Sequence, residues 1–353
     1  MSATAIKVLI VDDSELIRSL LEGILREDPD FEVVGTAADP YEAREKIKKL
    51  SPDVITLDVE MPRMDGITFL RNLMRLRPMP VVMISTLTSK GAETTLQALE
   101  LGAVDYIAKP RLSVAEELAA LSQTIISKLK QAARANVRAL EHNFLRQQFQ
   151  EPIKILAGKL PGEDVSLVAI GASTGGTEAT KEILAALPAK MPPIVVVQHM
   201  PEGFTTSYAR RLNGLSKLTV EEFTEPGQPL LPDHVYIAPG SMHLYVGEKS
   251  GCLYGHLDDG EPVNRHKPAV DVLFRSVAEV VGSKSIGVLL TGMGMDGARG
   301  LGEIKESGAI TAAQDERTSV VWGMPRVAIE QGAATEVLPL DRIGQFLVHC
   351  CYR

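Results

Sequence analysis

The sequence is short of cysteine, of long apolar runs and of excess positive charge, and each shortage excludes a class of protein. Its three cysteines, Cys252, Cys350 and Cys351, have the spacing of neither a disulfide framework nor a metal site. No apolar run approaches the ~20 residues of a transmembrane helix, and no signal-peptide pattern opens the chain. Acidic residues outnumber lysine and arginine by 45 to 37, which disfavours nucleic acid as a main partner. We therefore expect a cytoplasmic protein that neither inserts into membranes nor binds nucleic acid.

A chain of 353 residues is longer than a single hydrophobic core usually supports, which favours two domains. The stretch 128–160 lacks strand signals and is rich in glutamine, asparagine and arginine. We interpret it as a helical interdomain linker, with a docking surface for an acidic partner as the other interpretation. The predicted domains are therefore residues 1–127 and residues 161–353.

The first domain alternates short apolar runs with helical patterns, which predicts a parallel sheet with crossover helices. The later strand candidates are residues 31–36, 53–58, 80–85 and 105–109, after a first strand that opens at Ile6. We expect a five-stranded, doubly wound α/β unit.

Polar side chains end several of these strands, where ligands of such sheets bind. Asp12 and Asp13 end the first strand, Asp58 the third, Ser85 the fourth and Lys109 the fifth. Three converging carboxylates imply a hard cation such as Mg²⁺. Asp58 is then a candidate phosphoryl acceptor, with Lys109 and Ser85 contacting the phosphoryl group.

With these strand-end residues and several residue pairs near them, the sequence from residue 6 to about 125 resembles a response-regulator receiver domain. The matching residues are Asp12-Asp13, Asp58, Met61-Pro62, Asp65-Gly66, a hydroxyl after the fourth strand and Lys109-Pro110. The resemblance implies that a histidine kinase phosphorylates Asp58, with Mg²⁺ held by Asp12, Asp13 and Asp58. Ser85 is favoured over the adjacent Thr86 because it directly follows the apolar run 81–84.

The second domain resumes the α/β alternation, with strand candidates at residues 165–170, 194–198, 286–291 and 309–313. Three shorter runs, 235–238, 244–246 and 252–254, favour a meander or hairpin on the sheet edge. The predicted fold is a Rossmann-like α/β domain with a mainly parallel sheet.

A glycine-flanked serine follows the first strand of this domain. Gly171-x-Ser173-x-Gly175 fits the nucleophile elbow, although glycine-rich strand-to-helix turns also bind phosphates. Among seven histidines, His199 stands at the end of a buried-looking strand and is the favoured base; its rivals are His142, His243, His256 and His266. Asp296, in a glycine-rich loop after residues 286–290, is the favoured acid; its rivals are Asp271 and Asp315.

These three residues would act as a serine triad, with the backbone N–H groups of Met293 and Thr174 as candidate oxyanion donors. Their order, Ser-His-Asp, differs from that of α/β-hydrolases. A different interpretation remains: a receiver that drives a non-enzymatic α/β output domain.

The motifs around the triad resemble the chemotaxis protein-glutamate methylesterases and protein-glutamine glutaminases. They are residues 171–176, 198–201, 238–240, 268–274 and 291–297. The resemblance implies hydrolysis of glutamate γ-methyl esters on chemoreceptors, often with glutamine deamidation, and activation by phosphorylation. It also implies that the unphosphorylated receiver packs over the active-site edge, and that Mg²⁺ serves phosphorylation while the esterase chemistry needs no cofactor.

Overall fold

The computed structural model describes residues 5–85, 88–109, 115–137 and 164–352, together with residues 139 and 153. The chain forms two compact units that divide at residues 144 and 145. Most of the predicted linker, 128–160, lies outside the described residues, and its helical character there stays a prediction. Within the described part, no helix is both long enough and apolar enough to cross a membrane.

The first unit contains a parallel five-stranded sheet in the order β2-β1-β3-β4-β5, as predicted. Its elements are β1 (Ile6–Val11), α1 (Glu15–Arg26), β2 (Phe31–Ala37), α2 (Pro40–Leu50), β3 (Val54–Asp58), α3 (Gly66–Leu76), β4 (Val81–Ser85), α4 (Ser89–Glu100), β5 (Asp105–Ala108) and α5 (Ala115–Ala132). Every residue of β3 and β4 is buried, as expected of central strands in a doubly wound sheet.

Short polar side chains fix the starts of four helices in this unit. Ser14, Asp39, Asp65 and Thr88 each accept a hydrogen bond from a backbone N–H in the first turn. Such caps satisfy donors that would otherwise lack partners. The caps therefore define the residue at which each of these four helices begins.

The second unit contains a seven-stranded parallel sheet and a separate two-stranded antiparallel hairpin. Its elements are β6 (Leu167–Ala172), α6 (Gly176–Ala186), β7 (Ile194–Gln198), α7 (Phe204–Asn213), β8 (Thr219–Glu222), β9 (His234–Ile237), β10 (His243–Lys249), β11 (Cys252–Asp258), α8 (Val270–Val280), β12 (Ser285–Leu289), α9 (Ala298–Glu306), β13 (Ile310–Gln314), α10 (Met324–Glu330), β14 (Glu336–Leu338) and α11 (Leu340–Cys351). A short 3₁₀ turn, Gly282–Lys284, precedes β12.

The strand order is β14-β13-β12-β6-β7-β9-β8, and β10 pairs with β11 alone. The α/β class, the mainly parallel sheet and the antiparallel hairpin are confirmed. The meander interpretation is wrong for the run 235–238: residues 235–237 lie in β9, which pairs in parallel with β7 and β8. The hairpin therefore contains only the last two of the three short runs.

Glycine opens the helices that follow β6, β7 and β12. Gly175, Gly203 and Gly297 precede α6, α7 and α9 with φ of +79°, +83° and +84°, a region that residues with a Cβ rarely adopt. None of the three caps its helix with a side chain. Because β12, β6 and β7 are neighbours, the three turns lie side by side at the carboxyl edge of the sheet.

Candidate active site

Ser173 lies on the turn between β6 and α6. Its backbone N–H donates to the carbonyl of Thr291 at 3.0 Å, and its carbonyl accepts from the N–H of Gly176 at 2.7 Å. The first bond reaches the turn after β12, and the second closes the turn at the start of α6. The backbone of Ser173 is therefore held by two separate segments.

His199 directly follows β7, the strand beside β6. Its backbone N–H donates to the carbonyl of Ala172 at 3.0 Å. The buried Gln198 side chain joins the same turns, because its amide donates to the carbonyl of Ser173 at 2.9 Å and to that of His199 at 3.4 Å. These bonds place the predicted nucleophile and base on adjoining turns.

The His199 ring is bound to Asp296. Nε2 lies 2.8 Å from Oδ2 of the carboxylate, and the two side chains are only 7% and 1% exposed. Within the described part of the chain, the buried Nδ1 has no hydrogen-bond partner. A neutral imidazole held in this way at Nε2 has Nδ1 available as a proton acceptor.

Asp296 accepts hydrogen bonds from four donors, of which His199 is one. Oδ2 also accepts from the N–H of Val270 at 2.6 Å. Oδ1 accepts from the N–H of Asp271 at 3.1 Å and from the side-chain amide of Asn264 at 2.8 Å. Val270 and Asp271 open α8, which has no side-chain cap from its own N-cap residue. Asp296 thus caps α8 from a distant part of the sequence.

The donors around Asp296 decide its ionisation. Burial opposes the charged form, but the hydrogen bond and charge of His199, with the bonds from Asn264 and Val270, lower the pKa to about 2. The neighbouring Asp271 behaves oppositely, because burial and the charge of Asp296 raise its pKa, although the N–H of Gly300 and other donors oppose this shift. The low pKa means that Asp296 is ionised at neutral pH.

The lowered pKa of Asp296 predicts a pH dependence of stability. A carboxyl with a folded pKa of about 2, below the ordinary 3.8, contributes stability above about pH 4 that is lost as the pH falls toward 2. Between about pH 5 and pH 2, the advantage of wild type over Asp296→Asn in unfolding free energy should shrink by about 2 kcal/mol. Urea unfolding, followed by the fluorescence of the single tryptophan, Trp322, measures this. A constant difference would contradict the prediction.

The loop that follows β12, residues 291–297, passes against the Ser173 turn. A Cβ on Gly292 would lie 2.7 Å from the Cβ of Ser173, so only glycine fits this approach. The hydroxyl of Thr291, at the start of the loop, donates to the carbonyl of Thr174 at 2.9 Å. The side chain of Met293 is 38% exposed. The loop lies beside the predicted nucleophile, and the oxyanion roles of Met293 and Thr174 stay predictions.

The rival acids have other partners. Asp315 accepts from the backbone N–H and the hydroxyl of Thr318, at 2.9 and 2.5 Å, within its own turn. Asp271 lies in the first turn of α8 and accepts from the N–H of Gly300 at 2.7 Å. Of the three candidates, Asp296 alone has a described hydrogen bond to His199.

Three of the rival histidines also have identifiable surroundings. His243 is buried, with Nδ1 accepting from the N–H of Ala269 at 3.1 Å and Nε2 donating to the carbonyl of Glu261 at 3.0 Å. His256 is exposed on β11. His266 stacks on His199, with ring centroids 3.7 Å apart and planes inclined by 9°. The fourth, His142, lies outside the described residues.

Sequence reasoning assigned no role beside the proposed triad to three residues that contact it: Gln198, Asn264 and His266, the last of which was considered only as a rival base. The position of Gln198, one residue before the predicted base on a buried strand, was a usable signal, because a buried amide must find partners. Asn264 and His266 carry no such signal, since their polar stretch is far from Ser173 and His199 in the sequence.

The acidic residues of the first unit meet at the carboxyl edge of its sheet. Asp12, Asp13 and Asp58 each offer an oxygen, and these atoms all lie within 4.8 Å of one another. The Lys109 Nζ lies 2.8 Å from Asp58 Oδ2 and 3.3 Å from Asp12 Oδ2. Burial, together with the charge of Asp12, raises the pKa of Asp58 to about 6 against the opposing effect of Lys109. Hard oxygen donors in this arrangement fit Mg²⁺.

Ser85 ends β4 and is buried. Its hydroxyl donates to the carbonyl of Gly91 in α4 at 3.4 Å. The alternative hydroxyl, Thr86, lies outside the described residues. Contact of Ser85 with a phosphoryl group therefore stays a prediction.

Each of the two units matches a known protein family. The family described as CheB methylesterase matches residues 168–347, and the response regulator receiver domain matches residues 8–121. A relative from Xanthomonas oryzae pv. oryzae, named protein-glutamate methylesterase/protein-glutamine glutaminase 2, is 53% identical over 98% of this chain and 97% of its own length. A protein of the same name from Vibrio vulnificus is 52% identical over 98% of this chain and 99% of its own.

A solved structure matches the second unit. The crystal structure of the Thermotoga maritima CheB methylesterase catalytic domain is 44% identical and has a TM-score of 0.52, covering 53% of this chain and 98% of that one. The full-length relatives and the two family matches agree with the fold and motifs described above. The chain therefore belongs to the CheB methylesterase family and carries a response-regulator receiver domain.

Proposed function

We propose that this chain is a phosphorylation-activated serine hydrolase that demethylates glutamate γ-methyl esters, and deamidates glutamines, on chemoreceptors. The observation that carries the proposal is the 2.8 Å contact of His199 with Asp296 on turns adjoining that of Ser173, with Nδ1 of the ring unpartnered among the described residues. The names of the relatives supply the substrate class.

In the first half of the proposed reaction, His199 Nδ1 removes the hydroxyl proton of Ser173 as Oγ attacks the ester carbonyl carbon. Asp296 stabilises the imidazolium that forms. The tetrahedral intermediate collapses when its C–O bond to the methoxy group breaks, and the leaving oxygen takes the proton from His199. Methanol departs, or ammonia from a glutamine, and an acyl ester on Ser173 remains.

In the second half, water attacks this acyl ester and His199 again accepts the proton. Cleavage of the bond to Ser173 Oγ returns that proton to the serine and leaves a glutamate γ-carboxylic acid, which loses its remaining proton to solvent and becomes the carboxylate. The negative oxygen of each tetrahedral intermediate needs donors already in place, for which we propose the N–H groups of Met293 and Thr174. Gly292 supports this assignment, because it brings the loop of Met293 against Ser173.

We further propose that the receiver, residues 1–127, controls the catalytic domain, residues 161–353, in the cytoplasm, with residues 128–160 as linker. A histidine kinase is the proposed phosphodonor for Asp58. Asp12, Asp13 and Asp58 would hold Mg²⁺, and the cation would offset the negative charge of the phosphoryl group. Lys109, already 2.8 Å from Asp58, supports the same role, and Ser85 is the proposed hydroxyl contact.

Replacement of Asp58 tests the control. Adding Mg²⁺ and a small phosphodonor should raise wild-type methanol release from methylated receptor membranes at least about fivefold, the lower range of allosteric coupling. Asp58→Asn should show no rise, because an amide cannot accept the phosphoryl group. Asp53→Asn, a change at the opposite end of β3, is the matched control and should respond as wild type does. Equal stimulation of Asp58→Asn would contradict phosphorylation at this residue.

A further inference from the structure

The turn formed by residues 263–266 contacts both the base and the acid of the proposed triad. Its ends are joined by two backbone hydrogen bonds, from Val263 N–H to the His266 carbonyl at 3.1 Å and from His266 N–H to the Val263 carbonyl at 2.9 Å. Its central residues, Asn264 and Arg265, have φ of 53° and 68°. Two residues with side chains thus occupy a left-handed conformation in which glycine is usually favoured.

We infer that this turn is a positioning device for the catalytic histidine, with His266 as its principal residue; the inference rests on the function proposed above. The parallel stack, with centroids 3.7 Å apart, lays one imidazole flat against the other. Within the residues that the structure describes, the His199 ring is hydrogen-bonded at Nε2 alone, and a ring held at one atom can tilt about that contact. The second ring removes this tilt and so fixes the direction in which Nδ1 points.

The same turn orients the acid through Asn264. Its side-chain amide donates to Asp296 Oδ1 at 2.8 Å and to Asp271 Oδ2 at 2.7 Å. One NH₂ group therefore lies between two buried carboxylates that would otherwise face each other directly. This arrangement leaves Oδ2 of Asp296 directed at His199.

His266 also suits the charge that appears during catalysis. His199 becomes an imidazolium in the proposed transition states, and the face of an aromatic ring stacked on it attracts a cation. His266 acts in this scheme through His199 and not on the substrate. A planar aromatic side chain at position 266 should consequently replace most of its effect, whereas a small side chain should not.

The test measures kcat and KM for methanol release by the full-length protein with methylated receptor membranes. His266→Ala should lower kcat about 10- to 100-fold, the cost of misplacing a reacting group, with KM within about twofold of wild type. His266→Phe should recover most of the lost kcat. Asn264→Gly, which removes the amide but suits the left-handed backbone, should lower kcat with KM unchanged. His256→Ala, on exposed β11, is the matched control and should equal wild type.

Urea unfolding of each variant confirms that the catalytic unit is folded under the assay conditions. Unchanged kcat in His266→Ala, a fall in kcat that His266→Phe does not recover, or a change confined to KM would each overturn the inference. Ser173→Ala in the same assay separates the two proposals. If Ser173→Ala is inactive and His266→Ala is not impaired, only the positioning role fails; if Ser173→Ala is fully active, the proposed hydrolase mechanism fails.

Discussion

Ser173→Ala should reduce methanol release from methylated receptor membranes by on the order of 10⁴ to 10⁶ in kcat, the loss expected when a serine nucleophile is removed. The change deletes one oxygen from a half-buried side chain and leaves both backbone bonds that hold the turn. KM should change little, because Ser173 contributes to the reaction more than to receptor binding. Single-turnover release of labelled methanol measures the effect.

Ser166→Ala is the matched control for this experiment. Ser166 precedes β6 at the end of the strand opposite Ser173, so its loss removes the same atom far from the proposed chemistry. We expect this variant to retain wild-type kcat. Full activity in Ser173→Ala would exclude Ser173 as the nucleophile.

Asp296→Asn should cost on the order of 10⁴ in kcat, as a misoriented catalytic histidine does. The carboxylate accepts from four donors, and both of its oxygens are used. An amide has only one accepting oxygen, so its NH₂ group must face donors such as the Val270 N–H or the protonated nitrogen of His199. The ring of His199 then loses its fixed tautomer and its stabilising charge.

Asp315→Asn provides the comparison, because Asp315 was the rival acid in the sequence. Its carboxylate bonds within its own turn to Thr318, so we expect a change in stability and a kcat within a few-fold of wild type. The same steady-state assay, with urea unfolding alongside, measures both variants. A severe loss of kcat in Asp315→Asn with Asp296→Asn spared would reverse the assignment.

The arrangement of the proposed triad was predictable because periodicity and topology act together. Ser173, His199 and Asp296 follow apolar runs that form β6, β7 and β12, and parallel neighbours bring their carboxyl ends to one edge. The glycines beside them indicated tight turns. The same reasoning placed Asp12, Asp58 and Lys109 in one acidic cluster.

The short strands were harder to predict because they contain more polar residues, or fewer residues in all, than the central strands of the sheet. The strand β8 (Thr219–Glu222) carries two glutamates, and β14 (Glu336–Leu338) has only three residues, so neither shows a clear apolar pattern. The strand β9 (His234–Ile237) resembled the hairpin strands in length, and pairing with β7 decided its place. In each case a neighbouring strand, and not local propensity, determines the structure.

The turn of residues 263–266 could not be predicted because it depends on contacts across the fold. Asn264 is 32 positions from Asp296, and His266 is 67 positions from His199. Asparagine tolerates the left-handed region, so Asn264 alone hints at a turn, but the arginine at position 265 gives no signal for its left-handed φ. Only the folded chain shows that the turn contacts both His199 and Asp296.

The cap that Asp296 provides for α8 has a consequence for the order of synthesis. The ribosome completes α8, Val270–Val280, before it reaches Asp296, so the emerging helix lacks this partner for its first N–H groups. The aspartate that completes the helix is the same one that orients His199. A partly synthesised chain that already contains Ser173 and His199 therefore lacks the carboxylate that holds the His199 ring, and the proposed triad is complete only when the start of α8, Asp296 and His199 are assembled together.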